Sequence, residues 1–187
     1  MNKNVIAIAA ISLMGTFGCA VPPGENYDIY IEHCAPSSGQ CFSAEQEVDI
    51  AAMSRKWELA EIEFGLNISV KDDPVFGDYS FNIHPMTLAE IASNFGEGII
   101  GETHMIDTYQ EGDIYLPVDQ PNREEWLTTV LHEQGHMLGA HHYPNGIMYP
   151  DWTGNPKAIT CTDRSNFAKI RGEEIVFCSG NIPVSEP

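Results

Sequence analysis

Residues 132 to 142 read His-Glu-Gln-Gly-His-Met-Leu-Gly-Ala-His-His. Residues four apart on a helix share a face, so His132 and His136 project side by side and can chelate one ion. Glu133 follows directly and points about 100° away. It can reach a water beside the ion without being a ligand. His142 lies too far along a straight helix to join in, so the chain must turn back. Gly139 supplies the break, because glycine tolerates the left-handed conformation that ends helices. Three imidazoles leave one position of a tetrahedral Zn²⁺ open, as in catalytic rather than structural sites. Water there has a pKa of about 7. Glu133 would take its proton as it attacks a polarised carbonyl and pass that proton to the leaving amine. The chemistry predicted is hydrolysis of a peptide bond without a covalent intermediate.

With each fixed residue at about 1 in 20, His-Glu-x-x-His-x-x-Gly-x-x-His arises by chance in roughly 1 in 10,000 chains of this length. A helix with surface histidines would leave the glutamate and the glycine unexplained. Structural zinc sites take four ligands and are rich in cysteine, and no cysteine lies near this helix.

The long motif is followed by Asn145-Gly146-Ile147-Met148-Tyr149-Pro150. Together they resemble the metzincins, zinc peptidases that combine this motif with a downstream methionine turn. The resemblance implies that His132, His136 and His142 hold one catalytic zinc, that Glu133 is the general base, and that Met148 forms the hydrophobic floor beneath the histidines. Met-Tyr-Pro is similar to the matrixin branch, whose Pro-x-Tyr segment walls the S1′ pocket. The equivalent here is Pro150-Asp151-Trp152, which makes Pro150 and Trp152 substrate-binding residues by resemblance. Pro150 stands where astacins and serralysins have a tyrosine ligand, so no tyrosine ligand carries over. Tyr143 replaces the Ser or Thr usual after the third histidine, the interval from His142 to Met148 is short, and no Pro-Arg-Cys-Gly cysteine switch is present. The specific match covers about residues 128 to 152. Upstream, the family's substrate-pairing sheet edge falls near Ile99 to Thr103, and Ile99, Ile100 and Gly101 are expected to touch substrate.

The 187 residues suffice for one domain with a substantial core. With 27 acidic and 9 basic residues the net charge is −18. Nucleic acid is therefore an improbable partner, since a basic face is its usual footprint, and charge does not favour anionic membranes. Asp72-Asp73 or the acids from Asp107 to Asp113 could take calcium, but no calcium-loop spacing supports it. Residues 1 to 18 read as an export signal, with Lys3 ahead of an apolar run too short to span a membrane. Thr16-Phe17-Gly18-Cys19 resembles a bacterial lipoprotein cleavage site, which makes Cys19 a lipidation candidate; ordinary signal-peptidase cleavage is the rival reading. Removing Cys19 from the five cysteines leaves Cys34, Cys41, Cys161 and Cys178, an even set. Of the three pairings, short loops favour Cys34–Cys41 and Cys161–Cys178. The chain is expected to be exported, anchored in the outer membrane or cell surface or else secreted, and monomeric.

The elements that must position the site follow. Residues 19 to 26 read as a tether and 27 to 187 as the catalytic domain. Strands are predicted at Asp28–Glu32, Leu66–Val70, Tyr79–Ile83, Gly98–His104 and Asp113–Leu116. Ser43 and Gln46 form a capping-box signature, and Val48, Ala51, Ala52, Trp57 and Leu59 fit the helix after it. Thr87 to Asn94 is helical or irregular, the motif helix starts near Arg123 with Trp126 in the core, and a last helix spans Asp163 to Ile170. The expected fold is α+β: a twisted mixed sheet on two long helices, with the active-site cleft above a small C-terminal subdomain that carries the methionine turn. His104 lies near a histidine that binds a structural zinc in animal matrixins, but the His-x-Asp partner is missing, because Pro85-Met86 follows His84. His141 faces away from its neighbour His142. The leading expectation is a zinc endopeptidase acting on extended peptides. The alternative is an inactive zinc-containing protein that captures peptides, for which Glu133 would be unnecessary.

Overall fold

The computed structural model describes residues 26–61, 65–107, 111–143, 146–149, 157–170, 172, 178 and 180–184. The export signal, Cys19, most of the tether, Pro150 and Trp152 lie outside these residues. Among these residues the protein is α+β, with a five-stranded mixed sheet and four helices.

Strand β1 (Asn26–Ile31) is followed by helix α1 (Ala44–Ala60), β2 (Asn67–Lys71), β3 (Ser80–Met86), α2 (Leu88–Phe95), β4 (Glu102–Asp107), β5 (Glu111–Pro117) and α3 (Arg123–Met137). A two-stranded sheet of β6 (Ala158–Ile159) and β7 (Ile182–Pro183) then flanks α4 (Cys161–Ile170). The large sheet has the order β2-β1-β3-β5-β4. Its pairs are parallel except at one edge, where β4 runs antiparallel to β5.

The strands alternate as period two demands. Tyr27 and Ile29 of β1, Phe81 and Ile83 of β3, and Ile114 and Leu116 of β5 are buried. Helix α1 opens with the expected capping box: Gln46 N–H donates to Ser43 Oγ at 3.2 Å, and Ser43 N–H to Gln46 Oε1 at 2.9 Å. Its buried stripe is Ile50, Met53, Trp57 and Ala60, whereas Val48 and Leu59 are 68% and 60% exposed. The helix is where the sequence predicts it, but two of its apolar residues point outward: a stripe at spacings of three and four admits 50, 53, 57 and 60 and leaves 48 and 59 off that face. Thr87 to Asn94 resolves as helix, because Thr87 and Glu90 form a second capping box.

Helices α1 and α3 are joined by polar bonds inside an apolar layer. Trp57 Nε1 donates to Leu131 O at 2.9 Å, and Gln134 Nε2 donates to Ile50 O at 3.2 Å and Ser54 Oγ at 2.9 Å. Trp126 is core, as expected, and donates to Pro117 O at the end of β5. Both short-loop disulfides are present, Cys34–Cys41 and Cys161–Cys178. No helix among the described residues is long and apolar enough to cross a membrane.

Trp57 is fully buried and spans α1, α3 and α4, touching Phe167 as well as the Leu131 carbonyl. Trp57→Ala is expected to cost about 3–5 kcal/mol, read as a lower urea midpoint. A loss under about 1 kcal/mol would contradict this packing.

Candidate metal centre

Helix α3 starts at the cap Asn122, whose side chain accepts from Glu124 N–H and Glu125 N–H, and it carries His132, Glu133 and His136 on its last turns. It ends at Leu138, and Gly139 takes φ +89°, with its N–H bonded to His136 O at 2.8 Å. The predicted glycine break is therefore real. It sends the chain back so that His142 faces the two helical histidines.

The three Nε2 atoms lie 3.1 Å from one another in every pair. The outward-facing ring nitrogens decide what that means. His132 Nδ1 is 2.8 Å from Ile147 O, and His136 Nδ1 is 2.7 Å from Ala140 O. A carbonyl only accepts, so each Nδ1 carries the proton and each Nε2 presents a lone pair to the centre. Nitrogen lone pairs gathered this closely repel unless they share a cation. A triangle of 3.1 Å sides is close to the edge of roughly 3.3 Å defined by tetrahedral Zn–N bonds of about 2.0–2.1 Å. The donor set thus fits a divalent metal that favours imidazole. Among the described residues, no other group of three or more His, Cys, Asp or Glu side chains converges. His84 bridges Glu32 at 2.8 Å and Asp113 at 2.9 Å.

Electrostatics agree with the tautomers. Burial, then the neighbouring His136, lowers the His132 pKa from 6.5 to about 3, although the bond to Ile147 opposes this. Burial also lowers His136 to about 4, and it lowers His142 with help from His141. All three are held neutral, the form that binds metal. Glu133 moves the other way. Burial raises its pKa from 4.5 to about 8, Glu102 adds to the rise, and a bond from Thr103 opposes it.

Met148 is fully buried behind the ligands. A Cβ on Gly135 would come within 2.4 Å of Met148 Sδ and 3.0 Å of Trp57, so the methionine packs directly on the helix backbone between His132 and His136. The turn carrying Met148 is pinned by Asp163 of α4, which sequence reasoning missed. Its buried carboxylate accepts from Ile147 N–H at 3.0 Å, Met148 N–H at 3.3 Å, and Thr160 N–H and Oγ1–H at 2.7 Å. An aspartate following a threonine by three, at the start of a helix, is a capping signal; its reach to a distant turn has none.

A cleft of about 390 Å³ opens over the histidines, lined by Ile99, Ile100, Gly101 and Thr103 on one side and Glu133, His141 and His142 on the other. The expected residues Ile99, Ile100 and Gly101 do reach this cleft, as the lead-in to β4 rather than as strand. No protein-family model and no curated protein matches the chain, so its function is read from the site itself.

The shifts give a pH signature for the metal-free protein. A histidine lowered on folding contributes stability above about 6.5 that is lost as pH falls toward 4 and 3. Glu133, raised on folding, contributes below about 4.5 and loses that contribution as pH rises through 8. Glu133→Gln should therefore raise the melting temperature of chelator-treated protein increasingly from pH 5 to 8 and level off above. An advantage independent of pH would contradict a buried, raised carboxyl.

Proposed function

We propose that this protein is a zinc-dependent endopeptidase of the metzincin type, nearest the matrixins. The observation that carries the reading is the triangle of neutral Nε2 atoms with the buried carboxyl of Glu133 beside it. The buried Met148 under the ligand helix and the antiparallel edge strand at the cleft support it further. The α+β architecture, a mixed five-stranded sheet with helices α1 and α3 packed together, is compatible with this reading.

Zinc held by His132, His136 and His142 would supply Lewis-acid polarisation of the scissile carbonyl and acidification of the attacking water. The chain's residues do the rest. His132 and His136 are kept in the ligating tautomer by Ile147 O and Ala140 O. Glu133 takes one proton from the water as its oxygen bonds to the carbonyl carbon. It delivers that proton to the departing nitrogen as the C–N bond breaks, and the second water proton stays with the new carboxyl group. A carboxyl whose pKa burial lifts is suited to hold the proton between those events. A cation on the histidines favours its ionised form for the first of them.

The substrate is an extended protein or peptide segment. As an edge, β4 has one row of main-chain groups open to pairing, and an extended peptide can add there as a further strand. Ile99 and Ile100 offer apolar contacts beside the histidines. In this reading the enzyme is exported, anchored through Cys19 or secreted, and acts as a monomer.

Glu133→Ala should keep one equivalent of zinc while kcat on a denatured protein falls about 100- to 10,000-fold. His142→Ala should lose most of its zinc by elemental analysis. Wild-type protein that holds zinc and binds peptides without cutting any of them would replace this reading with peptide capture. Full zinc in His142→Ala would remove His142 from the site.

A further inference from the structure

Glu133 is not left to choose its own rotamer. Thr103 Oγ1 lies 2.8 Å from Glu133 Oε2 and 2.9 Å from the main-chain oxygen of the same residue. A hydroxyl has one proton to donate and lone pairs to accept with. When Glu133 is ionised, Thr103 can donate to Oε2. When Oε2 is protonated, it can donate to Oγ1 while Thr103 turns its own proton to the Glu133 carbonyl.

The other carboxylate oxygen meets Gly101. A Cβ at Gly101 would lie 3.1 Å from Glu133 Oε1, 3.1 Å from Glu133 Cγ and 2.5 Å from Thr129 Cγ2. A side chain there would collide with Thr129 and press on the Glu133 carboxyl, so glycine gives Oε1 its space. Gly101 and Thr103 are two apart, so the alternation of the chain turns both toward α3. Glu102 and His104 take the opposite face, across from Tyr115 and Asp113.

We propose that Thr103 is a positioning residue for Glu133: its hydroxyl, in reach of both Oε2 and the main-chain oxygen of Glu133, holds Oε2, Gly101 leaves space for Oε1, and Oε1 is thereby the oxygen left to exchange the proton with water and leaving amine. This rests on the endopeptidase reading, but the clamp itself can be observed without turnover.

The test compares zinc-loaded wild type, Thr103→Val and Thr103→Ser. Valine keeps the shape and removes the hydroxyl; serine keeps the hydroxyl. Thr103→Val should retain one equivalent of zinc and an unchanged KM, with kcat down roughly 10- to 100-fold, and Thr103→Ser should recover most of the loss. Crystal structures should show one Glu133 conformer in wild type and Thr103→Ser and a second in Thr103→Val. Unchanged kcat and a single conformer in Thr103→Val overturn the proposal, as does a kcat loss that serine fails to restore. A wild type that cuts nothing while the conformers follow the hydroxyl overturns the endopeptidase reading and leaves the clamp standing.

Discussion

The Nε2 atoms of His132, His136 and His142 lie 3.1 Å apart in every pair, and backbone beyond the end of α3 holds two of the three rings there. Two carbonyl oxygens fix the tautomers, and both come from backbone that has left the helix. Ala140 O depends on the reversal at Gly139. Ile147 O depends on the turn that Asp163 ties to α4. The route from α4 to the metal centre is thus short: Asp163 to the Ile147 and Met148 amides, then the Ile147 carbonyl to the His132 ring. A buried aspartate accepting from several N–H groups is a rigid support, because each of those amides would otherwise lack a partner away from water. The C-terminal helix holds the turn in this way.

The same helix α3 reconciles opposite demands on ionisation. Its last turns need neutral histidines and, one residue from the first of them, a carboxyl that can change state. Burial serves both, since it disfavours charge of either sign. It lowers His132 and His136 and raises Glu133. Without a cation, burial favours the uncharged forms of His132, His136 and Glu133. A divalent ion on the histidines would introduce the charge that these groups otherwise lack, and ionisation of Glu133 would be its local balance.

The three candidate ligands were legible in the sequence because one helix and one glycine place them: His132 and His136 by four-residue spacing, His142 by the reversal at Gly139. The capping boxes at Ser43 and Thr87 marked helix starts for the same local reason, although only the first was read as one. Legibility ended where tertiary contacts decide. Val48 and Leu59 are apolar and helical, yet face outward because the partner surface selects Ile50, Met53, Trp57 and Ala60. Asp163 reads as the acid of a helix's first turn and acts on a loop fifteen residues upstream. Thr103 reads as an ordinary strand residue, and nothing in its neighbours announces a glutamate thirty positions ahead. The pairing Cys34–Cys41 and Cys161–Cys178 was recoverable because short loops close at the least entropic cost.

Strand β4 carries two duties that period two separates. Residues facing α3, Thr103 and the preceding Gly101, shape the carboxyl of Glu133. The outer main-chain row lies at the sheet edge, where no further strand pairs among the described residues. The two duties share one register. A slip of a single residue would turn Glu102 or His104 toward the helix, bringing a carboxylate or an imidazole against Glu133 and removing the hydroxyl from it. The bonds from Thr103 to α3 and the pairing with β5 therefore fix the strand from both sides. A peptide laid along that edge would inherit the same register, so any bond it presented to the histidines would be set by the same contacts that set the carboxyl beside them.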